Sequence, residues 1–154
     1  MMRAVLLYVL VFCASLWKVD AQTIRFTYRH ALTASGTTVD IVREGAEARV
    51  VVSWINYRDS ISSAVDTAHS LTVDQYNAIV SSINSIDSND VARASQTRGR
   101  DGTTCTIECD PPLTPIHYVV WSPDINTKER GSTQFLATCK LILTAAKLKP
   151  SKYF

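Results

Sequence analysis

The spacing of apolar residues switches from a period of two to a period near 3.6 at about Thr72, and this switch limits the folds open to the chain. Before it, Ile24, Phe26, Tyr28 and Leu32 alternate with Arg25, Thr27 and Arg29, the pattern of a strand with one wet face. Thr37 to Arg43 alternates again, with Val39 and Ile41 inward. Ala48 to Ile55 carries Val50, Val52 and Trp54 on one face and Val51 and Ile55 on the other, which predicts a central strand. The connections Ala34-Ser35-Gly36 and Arg43 to Glu47 have hairpin length, so the three segments read as an antiparallel meander. A weaker fourth strand is expected around Ala64 to His69.

After the switch, Val73, Tyr76, Ile79, Val80, Ile83 and Ile86 recur at helical spacing. Thr72 and Gln75 stand at the positions of a capping box. Ser88 to Gly102 is polar and aperiodic. It reads as a solvated loop, the alternative being an anion-binding loop built on Arg93, Arg98 and Arg100. Thr103 to Cys109 and Ile116 to Trp121 return to strand patterning across a proline-rich connection. Ser132 or Thr133 then caps a last helix running to about Lys147, with Phe135, Leu136, Cys139, Ile142, Leu143 and Ala146 as its apolar stripe and Pro150 beyond its end. Alternating βαβ units are absent. The fold class is therefore α+β: a two-layer sandwich of a mostly antiparallel sheet of five to six strands, with two amphipathic helices on one face.

The first 21 residues follow a different logic. Arg3 precedes an apolar run from Ala4 to Trp17, and Val19-Asp20-Ala21 places small residues where an export signal is cut. The run is shorter than the roughly 20 residues a spanning helix needs. Phe12 before Cys13 argues against a lipidated cysteine. The reading is a signal peptide over residues 1–21 and a single globular domain over residues 22–154, secreted or periplasmic and not membrane-bound after cleavage. Loss of Arg3, Lys18 and Asp20 lowers the formal charge from +2 to +1, which offers no basis for nucleic-acid binding.

Export bears on the cysteines. Cleavage would leave Cys105, Cys109 and Cys139, and an oxidising compartment favours a disulfide. Cys105 and Cys109 share one face of their strand but stand about 13 Å apart along it, beyond the roughly 7 Å that a bridge allows. Two alternatives stay open: Cys139 bridged to Cys105 or Cys109, or all three thiols buried as small apolar side chains. A metal set of Cys105, Cys109, His117 and Cys139 is disfavoured, because a C-x3-C spacing on a strand does not bring two sulfurs to one zinc. A Cys139–His117 nucleophilic pair is disfavoured by the buried position of Cys139.

No nucleophile elbow, phosphate-binding glycine loop or H-E-x-x-H motif is present, and no cofactor is implied. His30, His69 and His117 are far apart in sequence and read as structural. Glu108 points away from Cys105 and Cys109, toward solvent or an open groove. Trp54, Trp121 and Tyr118 read as core residues before they read as the lining of a groove.

Asp101-Gly102, Glu108, His117, Trp121-Ser122-Pro123 and then Phe135 with Cys139 form a pattern over about 50 residues. It resembles that of small exported bacterial proteins of unassigned activity. Cys105 and Val120 depart from it, standing where the pattern has Trp and a basic residue. The resemblance implies a bacterial envelope compartment and one hairpin-plus-helix unit over residues 101–147, and it carries no functional residue. The expected function is a non-enzymatic binding or envelope accessory module for a protein or small ligand. The first alternative is a small hydrolase or transferase using Glu108, His117 and the loop Ser88–Gly102. The second is a structural subunit of an assembly. Oligomeric state is not legible in these residues.

Overall fold

A computed structural model describes residues 22–56, 67–110 and 113–154. The export signal expected over residues 1–21 lies outside them. Six antiparallel strands form one sheet: β1 (Gln22–His30), β2 (Ser35–Glu44), β3 (Glu47–Asn56), β4 (Thr67–Leu71), β5 (Thr103–Cys109) and β6 (Ile116–Trp121), in the order β4-β3-β2-β1-β5-β6. The meander is as expected, with β1 to β3 paired by hairpins and β5 added on the far side of β1. β3 is paired on both edges but stands second from the sheet's end; β2 and β1 hold the centre. The fourth strand begins at Thr67, and the earlier part expected over residues 64–66 is outside the described residues.

Ile24, Phe26, Val39, Ile41, Val50, Val52, Cys105, Ile107 and Val120 are fully buried, and their alternation places them on one sheet face. Helix α1 (Val73–Asn84) meets that face with Tyr76, Ile79 and Ile83. Helix α4 (Thr133–Ala145) meets it with Phe135, Leu136, Cys139, Ile142 and Leu143. Both members of the Thr72–Gln75 capping box form, Gln75 N donating to Thr72 Oγ1 at 3.1 Å and Thr72 N to Gln75 Oε1 at 3.0 Å. The two helices are tied by Ser82 and Thr138 hydroxyls 2.8 Å apart. His69 joins the layers, its Nε2 donating to the Ala145 carbonyl at 2.8 Å.

Two expectations are corrected. Ser88–Ser95 is a helix, α2, rather than part of a loop. Asp87 caps it by accepting from Asn89 N at 2.8 Å, and Val91 and Ala94 are buried; two apolar contacts are too few to register as a period in the sequence. A one-turn helix, α3 (Thr127–Arg130), precedes α4, so the described residues hold these two shorter helices beside the two amphipathic ones expected. The α+β class stands. Ser132 occupies the N-cap of α4 without a capping hydrogen bond, because its hydroxyl donates to the Pro123 carbonyl at 2.8 Å.

Candidate functional site

The Asp-Gly and Trp-Ser-Pro segments meet. Gly102 has φ +142°, and a Cβ there would come within 2.5 Å of Ser122 Oγ and 2.9 Å of the Trp121 ring. A Cβ on Gly99 would collide with the same ring. Ser122 N donates to the Thr103 carbonyl at 2.7 Å, and Ser122 itself has φ +39°. Arg130 closes the knot: Nη1 donates to the carbonyls of Ser122 and Ile125, and Nη2 to those of Trp121 and Ala94. Burial lowers its pKa from the usual arginine range, and all four partners are neutral backbone. These residues join α2, α3 and the β6 end; they hold architecture and present no reactive group. Arg93 pairs with Asp90 on the same helix, which offsets its charge locally.

The opposite sheet face is polar and carries Glu108 and His117. They are cross-strand partners, and His117 Nδ1 lies 2.9 Å from Glu108 Oε1. On the other side Glu108 faces Arg25, and Arg25 faces Asp40, with Nε 2.6 Å from Oδ1. The carboxylate of Asp40, hydrogen-bonded and close, raises the Arg25 pKa, with Glu108 and Asp110 adding smaller charge effects. The row is thus Asp40, Arg25, Glu108, His117 across four adjacent strands. Arg25, Glu108 and His117 also line an open depression of about 390 Å³ with Asp110, Pro115 and Ile116. Among the described residues no hydroxyl or thiol is hydrogen-bonded to His117. The Ser88–Gly102 segment joins the other end of the strands, at Trp121, about 13 Å from the Glu108–His117 pair. Two of the three parts of the hydrolase arrangement come together and the third does not.

A groove of about 320 Å³ lies on the helix side of the sheet, at the β1–β2 hairpin end beyond the cover of α1 and α4. Tyr28, Trp54 and Tyr153 form its aromatic wall, and His30, Thr33, Ser35, Thr37 and Lys152 its polar rim. Trp54 is 41% exposed, correcting its reading as core: alternation aims it at the buried face, but no described helix covers that end of β3. Tyr153 follows the 3-10 turn Pro150–Lys152, and its ring meets Tyr28 edge-on with centroids 4.9 Å apart. Tyr28 Oη donates to the Tyr153 carbonyl and Thr37 Oγ1 lies 3.3 Å from Tyr153 Oη. Burial pushes the Tyr28 hydroxyl up to about 12 and raises that of Tyr153, so both stay neutral near pH 7. Among the described residues no acidic side chain lines this groove. Tyr153 and Lys152 were not singled out in the sequence, where nothing in a short segment after Pro150 shows that it returns to β1.

Cys105, Cys109 and Cys139 are free and buried in this structure. Of the two partners expected for Cys139, Cys105 is the one its thiol meets. No group of His, Cys, Asp and Glu suited to a metal forms among the described residues. No described helix is long and apolar enough to cross a membrane. No protein-family model matches the chain, and no curated protein matches it in sequence.

Proposed function

We propose that this chain is an exported, non-catalytic binding module that holds a small hydroxylated ring compound, neutral or anionic, in the groove of Tyr28, Trp54 and Tyr153. The groove itself carries this reading: it has ligand-pocket volume, an aromatic platform and convergent hydroxyl and cationic groups, with no carboxylate among the described residues that line it. The aromatic rings supply contact area with little side-chain entropy to lose. Thr33, Ser35 and Thr37 supply short donors and acceptors that suit ligand hydroxyls, and Lys152 favours an anionic substituent over a cationic one.

The second reading, a hydrolase at Glu108 and His117, draws support from the 2.9 Å contact between them. A carboxylate that orients a histidine is two members of a three-member device, and the nucleophile is the missing one.

Calorimetric titration with a panel of mono- and oligosaccharides, uronic-acid types included, tests the binding reading. Trp54→Ala should weaken any binding at least tenfold while Glu108→Ala leaves it unchanged. Heat from binding that survives Trp54→Ala, or a panel with no binder, would overturn it.

A further inference from the structure

The sheet face that no described helix packs on carries a charge pattern with a particular symmetry. Asp40, Arg25, Glu108 and His117 are successive cross-strand partners on β2, β1, β5 and β6, so their signs alternate: negative, positive, negative and, when protonated, positive. An alternating row of four is the complement of its own reverse. A second copy turned over about a two-fold axis parallel to the strands, passing between β1 and β5, sets Arg25 on the partner's Glu108 and Asp40 on the partner's His117. Turning it instead about an axis along the row would set each charge on its own like.

The neighbouring residues allow this approach. The next row on the same face is Ser53, Thr38, Thr27, Thr106 and Val119, short side chains that set Thr27 on the partner's Thr106 and bring the partner's Val119 over the buried Thr38. Val119 is one of the chain's exposed large apolar residues and would be covered. About the two-fold axis β2, β1, β5 and β6 overlap their partners while β3 and β4 overhang. Four strands at about 4.8 Å spacing and about eight residues each make a face of roughly 500 Å² per partner, the size of a weak, concentration-dependent contact rather than the roughly 800 Å² of a standard one. Aligned sheets cross at about 30°, so registry is tightest at the axis, where Arg25 and Glu108 stand.

We infer that this face is the interface of a symmetric homodimer, two sheets packed face to face with the Arg25–Glu108 pair exchanged across the two-fold axis. The occupant is a second copy of this chain because the pattern is self-complementary, as an isologous contact requires. The groove of Tyr28, Trp54 and Tyr153 opens on the other side of the sheet and stays accessible in the dimer, so this inference stands or falls apart from the binding reading.

Sedimentation velocity on the exported chain tests it. The wild type should pass from one-chain to two-chain mass as concentration rises into the micromolar range, and high salt should shift it back. R25E leaves three negative charges in the row, and E108R sets arginine on arginine across the axis, so each variant alone should be monomeric at a concentration where the wild type is dimeric. An equimolar mixture of the two should restore the two-chain species, and so should the double variant R25E/E108R, whose row is again complementary to its own reverse. All four positions are on the wet face, and circular dichroism checks that each variant is folded. A wild type that stays monomeric to about 1 mM, a dimer that survives both single reversals, or a mixture of folded single variants that fails to associate would each overturn the inference.

Discussion

Gly102 shows how much one residue decides. Its φ of +142° lies where a side chain is strained, and a Cβ would press on Ser122 Oγ and the Trp121 ring. Gly102→Ala is therefore expected to cost about 2–4 kcal/mol of stability, from backbone strain and displaced packing together. Chemical denaturation of the two proteins measures it, and a difference below about 0.5 kcal/mol would mean that the 96–102 segment moves aside at no cost. The Asp-Gly and Trp-Ser-Pro words were visible in the sequence, but their meaning was not. Each is short, and only the fold brings residue 102 under residue 122. Glu108 is the contrary case: its outward direction followed from the alternation with Cys105 and Cys109, and the structure gives it that direction. Its partner His117 was singled out separately; that the two meet depends on the β5–β6 register, which a proline-rich connection does not specify in sequence.

At the scale of elements, helix α1 was the most legible. A long apolar period and a capping box agree on where it starts, and Val73 is its first residue. Thr72→Ala should lose about 1 kcal/mol, since Gln75 N would lose its acceptor at an exposed helix end. Thermal melting should register this as a fall of a few degrees in Tm, whereas Thr72→Ser should stay near wild type. Helix α2 was read as a loop because its eight residues bury only Val91 and Ala94, and its stability comes from the Asp87 cap and from docking beside β6. Strand β3 was expected in the centre because both its faces are apolar. It is inner but not central, since Val51 and Ile55 face the uncovered side, where half-exposed apolar residues are tolerated.

For the molecule as a whole, buried thiols, together with the buried and half-buried tyrosines Tyr28, Tyr76 and Tyr153, weaken folding at high pH. Burial, with a smaller effect of the Asp110 charge, pushes Cys109 up to about 11, and burial together with the Cys105 contact pushes Cys139 well above the ordinary thiol value of 9.0. A raised thiol pKa means that the unfolded chain ionises first. The stabilising contribution is complete below about pH 9 and is lost as pH rises toward 11. The denaturation midpoint should fall over that window, and less steeply in Cys109→Ala; a midpoint flat from pH 8.5 to 11 would contradict this.

Local pattern was enough for the α+β class, for five of the six strands nearly in full, for both long helices and for the direction of Glu108. These depend on local periodicity and capping, which are properties of neighbouring residues. Only the tertiary structure decided the sheet order, the meeting of Cys139 with Cys105, the aromatic groove and the four-charge row. Each of these joins residues far apart in the chain. Tyr28 and Tyr153 are brought together by a tail that returns across the sheet end, and Asp40 and His117 by the insertion of β1 and β5 between their strands. Contacts of that kind follow from which surfaces bury one another, and no local pattern encodes them.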